Sequence, residues 1–250
     1  MSKTIFITGA TSGFGKAAAE LFAAHKHNLI ITGRRQERLN SLAQELKLAH
    51  SIEVQSLCFD VRNNDEVVSS INSIADKKID VLINNAGLAS GLDKIQDGLL
   101  DDWEKMIDTN FKGLLYVSKA IIPLMLQQQH GHIINIGSTA GKEAYEKGNV
   151  YCATKHAVDA LSKSMRIDLL GKGIKVSQIC PGAAETEFSA VRLNGDLEKA
   201  KQVYNGYEPM SAEDVASIIY YVTTLPENLC INDLVVTSLS QANSLYINKT

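Results

Sequence analysis

Cysteine and proline are scarce in this 250-residue chain, aromatic residues make up 6% of it, and no long hydrophobic run is present. The four cysteines, at positions 58, 152, 180 and 230, form no C-x-x-C pair, so we expect reduced thiols and no metal site. Only four prolines occur, and no linker rich in Gly and Ser or in charge divides the chain. The composition therefore predicts one compact domain over residues 1–250.

Charge of one sign is also lacking, since 25 basic and 28 acidic side chains leave a formal net charge of -3. Such a surface has no general attraction for phosphate backbones or anionic membranes, so we expect neither nucleic acid nor membrane as a partner. No apolar run approaches membrane-spanning length, and none follows Met1 as a leader. We therefore expect a cytoplasmic protein that acts on a small molecule.

A short apolar run, residues 4–8, precedes a turn with Gly9, Gly13 and Gly15, and a helical pattern follows from Lys16. Glycines at such a turn let the backbone approach a pyrophosphate, whose charge meets the positive end of the following helix. An ordinary tight turn is the alternative. The strand before the turn and the helix after it favour nucleotide binding.

Two arginines, Arg34 and Arg35, follow the second predicted strand, residues 28–33. A protein specific for NAD usually has an acidic residue here to bind the ribose 2′-hydroxyl. Two guanidinium groups can instead bind a 2′-phosphate through charge-assisted hydrogen bonds, which favours NADP. The alternative is that the pair begins a solvated helix.

Further strands are predicted at residues 52–59, 81–83, 132–136, 175–180 and 234–236, with helical patterns between them. This alternation predicts an α/β fold, a doubly wound Rossmann-type sheet of seven parallel strands with helices on both faces. Asp60 follows the third strand and could accept a hydrogen bond from adenine or cap a helix. Asn84 to Gly87 follow the fourth and could approach a ligand, form a structural turn, or do both.

Polar side chains suited to proton transfer cluster in the middle of the chain. Ser138 follows the fifth strand and stands thirteen residues before Tyr151, which stands four before Lys155. Residues at i and i+4 share a helix face, so the phenol and the ammonium can point into one cleft. The spacing alone is weak, because Tyr-x-x-x-Lys also occurs in solvated helices. Asn110, inside a long apolar helix, could bend that helix or anchor a relay water.

A long irregular segment, about residues 183–210, separates the sixth strand from the last predicted helix. Loops of this length in compact domains are uncommon and often act as lids over an active site. We therefore expect it to cover the substrate.

In this order, the motifs resemble those of the short-chain dehydrogenase/reductase family over essentially the whole chain. The resemblance implies an NADP(H)-dependent oxidoreductase with the catalytic residues Asn110, Ser138, Tyr151 and Lys155. It implies cofactor contacts from Gly9, Thr11, Ser12, Gly13, Phe14, Gly15, Arg34, Arg35, Asp60, Val61, Asn85, Ala86, Gly87, Tyr151, Lys155, Pro181, Gly182, Ala184 and Thr186. It also implies a homo-oligomer, by analogy a tetramer.

Longer strings, such as residues 131–141 and 186–189, are similar to the NADP-dependent 3-hydroxy acid dehydrogenases. Those enzymes act on serine, L-allo-threonine and related short hydroxy acids, which implies such a substrate or its semialdehyde. The chain departs from them at residues 142–144 and 183–185. Substrate contacts are expected from Ser138, Lys142 and Arg192, although Arg192 could equally be an exposed arginine of a lid or an interface.

The resemblance implies that Tyr151 exchanges a proton with the substrate oxygen, while Lys155 favours its phenolate form and binds the nicotinamide ribose. Ser138 would hold the substrate oxygen, and Asn110 would anchor a relay water. A broad carbonyl reductase and a 3-oxoacyl reductase are alternatives. A regulator that binds NADP without catalysis is another, although such proteins commonly lose the Tyr or the Lys.

Overall fold

A seven-stranded parallel sheet forms the centre of the computed structural model, which describes residues 2–193 and 195–249. The strands are β1 (Thr4–Ile7), β2 (Asn28–Gly33), β3 (Val54–Cys58), β4 (Val81–Asn84), β5 (Gly131–Ile136), β6 (Ile174–Pro181) and β7 (Asp233–Val236). Their order across the sheet is β3-β2-β1-β4-β5-β6-β7, and each neighbouring pair is parallel. The predicted fold class is confirmed.

Helices connect these strands. They are α1 (Gly13–Ala24), α2 (Gln36–His50), α3 (Asn64–Asn72), α4 (Leu100–Ile107), α5 (Leu114–Gln128), α6 (Asn149–Asp168), α7 (Glu187–Arg192), α8 (Leu197–Gln202) and α9 (Ala212–Thr223). The segment between β6 and α9, predicted to be irregular, contains the short helices α7 and α8. None of the helices in the described part of the chain is both long and apolar enough to cross a membrane.

The two faces of the sheet carry separate apolar cores because successive side chains of a strand point to opposite faces. In β1, Ile5 and Ile7 belong to the core beneath α1, α2 and α9, whereas Phe6 belongs to the core beneath α3, α5 and α6. All three side chains are fully buried. Burial of each such side chain contributes about 1.5 to 3 kcal/mol, so these cores fix the sheet that positions the site.

The strand order reverses at the centre of the sheet, where β1 lies between β2 and β4. Connections leave β1 and β4 toward opposite sides there, which opens a crevice at the carboxyl ends of the strands. The loops that carry the predicted site residues meet at this edge.

Candidate active site

A cleft of about 580 Å³ opens at the carboxyl edge of the sheet. It is lined by the predicted site residues Gly9, Thr11, Ser12, Gly13, Phe14, Arg34, Arg35, Asp60, Val61, Asn85, Ala86, Gly87, Ser138, Tyr151, Lys155, Pro181, Gly182, Ala184, Thr186 and Arg192. Gly15, Asn110 and Lys142 lie outside its lining. One surface therefore brings together residues that are far apart in the sequence.

The glycine turn between β1 and α1 has a backbone that only small residues allow. Gly9 and Gly13 have φ angles of +68° and +52°, in the left-handed region that glycine enters at little cost. A Cβ on Gly15 would lie 2.4 Å from the carbonyl oxygen of Gly9. Ser12 precedes α1 without a capping side-chain hydrogen bond. The turn therefore leaves helix N–H groups available for an anionic ligand, which fits a dinucleotide pyrophosphate.

Asn85, the residue after β4, supports this turn. Its Nδ2 donates to the carbonyl oxygen of Thr8 at 2.8 Å, and the hydroxyl of Thr8 accepts from the backbone N–H groups of Asn85 and Ala86 at 2.9 Å. Asn84 is buried and donates to Ser118 and Asn135. Of the two interpretations left open for these residues, the structural one applies, and Asn85 and Ala86 also line the cleft.

The two arginines after β2 have different partners. Arg35 donates to the hydroxyl oxygens of Thr11 and Ser12, at 2.7 and 2.8 Å from Nη2, and forms an ion pair with Glu187. Arg34 is more exposed, and its Nη1 lies 3.8 Å from the carboxylate of Asp60. Both guanidinium groups face the cleft near the glycine turn, where a 2′-phosphate on the adenosine ribose would require them.

Asp60 stands at the cleft edge with its carboxylate bound to Arg62. The Nη2 of Arg62 donates to it at 2.6 Å. Partial burial acts to raise the pKa of Asp60, but the hydrogen bonds from Arg62 outweigh it and hold that pKa below its ordinary value. An ionised carboxylate at this edge can accept from an adenine amino group. It does not cap α3, because that helix is capped by the side chain of Asn63.

Tyr151 and Lys155 lie on one face of α6 and are both buried, with 9% and 7% of their surfaces exposed. The Nζ of Lys155 is 5.9 Å from the centroid of the Tyr151 ring and donates to the carbonyl oxygen of Ile136 at 2.9 Å. Burial lowers the pKa of Lys155 to about 8. Burial also raises the pKa of Tyr151 above its ordinary value, against the opposing effects of Ser138 and Arg192. The phenol of Tyr151 is therefore protonated at neutral pH.

Ser138 caps a short 3-10 turn, Thr139–Gly141, that follows β5. Its hydroxyl oxygen accepts from the backbone N–H of Ala140 at 3.1 Å, which leaves the O–H free to point toward the cleft. A Cβ on Gly141 would lie 2.6 Å from the carbonyl oxygen of Lys155. The turn therefore packs directly on α6 and holds Ser138 beside Tyr151.

Asn110 lies in a π-helical turn, Asp108–Gly113, that separates α4 from α5. The predicted long helix is thus interrupted at this residue, and such turns often occur at functional sites. The side chain of Asn110 accepts from the backbone N–H of Leu88 and donates to its carbonyl oxygen, both at 2.8 Å. It also donates to Thr154 on α6 at 3.1 Å. Asn110 therefore ties the loop after β4 to α6, and an interaction with a relay water remains a prediction.

Arg192, the last residue of α7, reaches into the cleft beside Tyr151. Its Nη1 donates to the hydroxyl of Tyr145 at 3.0 Å, and its guanidinium carbon lies 5.6 Å from the centroid of the Tyr151 ring. Its Nε is buried without a hydrogen-bond partner, and no ion pair joins it to a carboxylate within residues 2–193 and 195–249. A cation in this position can bind an anionic group of a substrate.

Lys142, for which a substrate contact was predicted, does not line the cleft. Its ammonium forms ion pairs with Asp159 on α6 and with Asp233 on β7, the latter at 2.6 Å. Burial acts to lower the pKa of Lys142, but the two carboxylates raise it above the ordinary lysine value. Two acidic residues from distant parts of the chain thus provide a structural site for this charge, and a substrate contact from Lys142 stays a prediction.

The sequence did not predict several residues that line the cleft, among them Tyr145, Phe188, Tyr204 and Gln241. Phe188 packs edge-on against the Tyr151 ring, with centroids 5.7 Å apart. Gln241 accepts from the backbone N–H of Ala183 at 2.8 Å. No spacing rule marks them, although Phe188 stands within the string of residues 186–189 that carries the family resemblance.

Known proteins resemble this chain over nearly its full length. Residues 3–196 match the family model described as short chain dehydrogenase. Sulfoacetaldehyde reductase 2 of Chromohalobacter salexigens is 43% identical over 98% of both chains. The NADP-dependent 3-hydroxy acid dehydrogenase of Escherichia coli K12 is 43% identical over 95% of this chain and 96% of that protein.

Among solved structures, the closed form of serine dehydrogenase complexed with NADP+ superposes with a TM-score of 0.89 at 42% identity. The match covers 96% of this chain and 97% of that one. A serine dehydrogenase from Escherichia coli matches with a TM-score of 0.81 at 39% identity, over 96% and 99% of the two chains. The fold, the cleft and these similarities agree, and the chain belongs to the short-chain dehydrogenase family.

Proposed function

We propose that this protein is an NADP(H)-dependent oxidoreductase acting on a hydroxyl or carbonyl group of a small anionic substrate. The favoured substrate is a short 3-hydroxy acid, such as serine or L-allo-threonine, or the corresponding semialdehyde. The observation that carries the proposal is the placement of buried Tyr151 and Lys155 in one cleft with Arg192, a cation that has no carboxylate partner among the described residues.

The residues that line the cleft fit NADP(H). The glycine turn would hold the pyrophosphate, Arg34 and Arg35 the 2′-phosphate, and Asp60 the adenine. Pro181, Gly182 and Thr186 line the part of the cleft next to Tyr151 and Lys155, where the nicotinamide would lie. When bound, the nicotinamide supplies or accepts the hydride.

Tyr151 would donate a proton from its phenol oxygen to the substrate oxygen during reduction and accept one during oxidation. Its burial keeps the phenol protonated in the free protein, which suits the acid role. The Lys155 ammonium lowers the cost of forming the phenolate because an opposite charge favours the ionised form. With a pKa lowered to about 8, Lys155 carries most of its charge at neutral pH.

Ser138 would hold the substrate oxygen, since its O–H is free to donate to an oxygen that becomes negatively charged during the reaction. Asn110 would act at longer range, because it fixes the loop after β4 against α6 through Leu88 and Thr154. The relay water assigned to it remains part of the proposal.

An anionic substrate is supported by the environment of Arg192. Tyr145 accepts one hydrogen bond from its guanidinium group, and no carboxylate of the described residues pairs with this charge. The names of two relatives point the same way, because a 3-hydroxy acid carries a carboxylate and sulfoacetaldehyde carries a sulfonate. Either group can pair with a guanidinium through two hydrogen bonds.

The proposal extends to the protein's assembly and movement. Residues 183–210 would act as a lid, since Phe188, Arg192 and Tyr204 of this segment line the cleft. A homotetramer in the cytoplasm is proposed from the family resemblance and is supported by exposed apolar side chains on α6 and β7, including Ile167 and Val235.

Oxidation of NADPH in the presence of matched carbonyl compounds tests this function. Malonic semialdehyde and sulfoacetaldehyde should be reduced with a kcat/KM at least tenfold above that for propanal, which lacks the anionic group. Equal rates with propanal, dicarbonyl compounds or 3-oxoacyl thioesters would favour a broad carbonyl reductase or a 3-oxoacyl reductase. NADPH binding without turnover of any compound would favour a regulatory protein.

A further inference from the structure

Glu187, the first residue of α7, forms ion pairs with two arginines of the α2 region. Its Oε2 lies 3.0 Å from Nη1 of Arg35, and its Oε1 lies 2.9 Å from Nη1 of Arg38. Both carboxylate oxygens are therefore engaged. Partial burial acts to raise the pKa of Glu187, but the hydrogen bonds from the two arginines hold it below its ordinary value. The carboxylate is ionised at neutral pH.

These contacts involve a group that a 2′-phosphate would also require. Arg35 uses Nε and Nη2 to hold Thr11 and Ser12 of the glycine turn, which leaves Nη1 as the nitrogen available to a ligand. That nitrogen is the one bound to Glu187. A phosphate placed against Arg35 would meet a carboxylate of the same sign, and two such anions repel each other.

We propose that Glu187 is an internal competitor for the 2′-phosphate of NADP, which occupies Arg35 in the free protein and is displaced when the phosphate binds. The inference rests on the proposed function insofar as Arg35 binds that phosphate. Arg38 is not among the residues that line the cleft, so it can keep one oxygen of Glu187 after Arg35 has changed partner.

The exchange of partners at Arg35 also connects the cofactor end of the cleft with the substrate end, because α7 extends between them. α7 begins with Glu187 and ends with Arg192, and Phe188 next to Glu187 packs on the Tyr151 ring. Release of Glu187 from Arg35 therefore removes one of the two ion pairs that hold the start of the helix that carries the substrate-facing arginine. A ligand with a 2′-phosphate would displace Glu187 from Arg35, whereas a ligand without this phosphate would leave the ion pair intact.

Titration calorimetry with 2′,5′-ADP and 5′-AMP tests the proposal without any turnover. The variant Glu187→Gln keeps the size of the side chain and removes its charge. It should bind 2′,5′-ADP and NADPH about two- to fivefold more tightly than the wild type, the range expected when an exposed ion pair is lost. Its affinity for 5′-AMP and NADH should change by less than about twofold.

Glu185→Gln is the matched control, because Glu185 is an exposed acid two residues away that forms none of the structure's ion pairs with Arg35 or Arg38. It should leave the affinity for all four ligands unchanged. In an Arg35→Gln background, the gain from Glu187→Gln should fall below about twofold, since the shared partner is gone. The melting temperature of each variant shows that it is folded.

An affinity for 2′,5′-ADP that is unchanged or weaker in Glu187→Gln would overturn the inference, as would an equal gain for 5′-AMP. The proposed function is tested separately, by the affinities of the wild type alone. A wild type that binds 2′,5′-ADP no better than 5′-AMP would contradict its NADP preference, whereas the effect of Glu187→Gln is a ratio between two proteins for one ligand.

Discussion

Tyr151 is a phenol whose ionisation is controlled by groups within a few ångströms. Burial raises its pKa, Ser138 and Arg192 act in the opposite direction, and Lys155 lies 5.9 Å from its ring centroid. Further positive charge next to this phenol would favour its ionised form. The oxidised nicotinamide would provide such a charge, whereas a reduced one would not. The residue is thus suited to give a proton in one direction of the reaction and to take it in the other.

Replacement of Tyr151 by Phe removes the transferable proton and retains the ring. We expect kcat to fall by about 10²- to 10⁴-fold, the usual contribution of a general acid or base. The affinity for NADPH, measured by fluorescence titration, should stay within about threefold of the wild type because the ring still packs against Phe188. Turnover close to that of the wild type would show that another group donates the proton.

Arg192 is predicted to determine the preference for anionic substrates. We expect Arg192→Ala to raise KM for malonic semialdehyde by at least about tenfold, since hydrogen bonds to a charged group contribute about 1.5 to 3 kcal/mol. Arg192→Lys should recover only part of this loss, because an ammonium lacks the planar pair of donors. KM for propanal should be unaffected in both variants. An unchanged KM for malonic semialdehyde would instead identify Arg192 as a residue of the lid or of an interface.

At the scale of elements, ion pairs of Lys142 attach the 3-10 turn after β5 to its neighbours. Lys142 joins this turn to Asp159 on α6 and to Asp233 on β7, so one ammonium connects three elements. Asp159 also pairs with Lys163 at 2.6 Å. The turn carries Ser138 at its start, and the ion pairs of Lys142 therefore support the geometry of the site.

Lys142→Met keeps the aliphatic stem and removes the charge. We expect the free energy of unfolding to fall by about 1 kcal/mol. Removal of the ammonium leaves the carboxylates of Asp159 and Asp233 close together, but partial exposure of these ion pairs to solvent limits the loss. Denaturant titration measures this change. KM for the anionic substrate should remain within about twofold of the wild type. A large increase in KM with unchanged stability would support the substrate contact predicted for Lys142.

At the scale of the whole molecule, the edge of the sheet opposite the cleft contains a buried histidine. His132 on β5 is 5% exposed, and its Nε2 lies 2.8 Å from the hydroxyl of Ser177. Burial lowers the pKa of His132 to about 3, and the positive charges of Lys175 and Lys3 add to the effect. The imidazole is therefore neutral in the folded protein at any pH near neutrality.

This shift predicts a loss of stability in mild acid. Below the unfolded-state pKa of about 6.5, the unfolded chain binds a proton at His132 that the folded chain does not bind, so stability falls with pH down to about 3. Between pH 7.5 and 5, this one group should cost about 2 kcal/mol. Urea unfolding at both pH values, at one protein concentration, should show that loss in the wild type and a smaller loss in His132→Gln. Equal losses in the two proteins would exclude His132 as the source.

Much of the fold could be predicted because local patterns determine it. Apolar runs of strand length alternate with helical patterns, and this alternation allows few arrangements other than a doubly wound parallel sheet. The glycine turn was recognisable because its positive φ angles and close backbone contacts require glycine at 9, 13 and 15. These features depend on residues that are neighbours in the chain.

The interruption of the helix at Asn110 could not be predicted in the same way. The sequence around it is compatible with one continuous helix, and the π-helical turn forms where Asn110 binds the backbone of Leu88 and the side chain of Thr154. Those partners stand 22 and 44 residues away along the chain. Their approach depends on how α4, α5 and α6 pack together.

The sequence by itself determined the sheet, the glycine turn and the spacing that puts Tyr151 and Lys155 on one helix face, since each follows from the geometry of a strand, a turn or a helix. Only the tertiary structure decided the partners of the charged side chains. In the folded protein Lys142 pairs with two aspartates, and Arg35 binds Glu187. Arg192 lies beside Tyr151, and among the described side chains it donates a hydrogen bond only to the hydroxyl of Tyr145. The physical reason is that long charged side chains can reach many groups, and the packed fold alone determines which of them lie within reach.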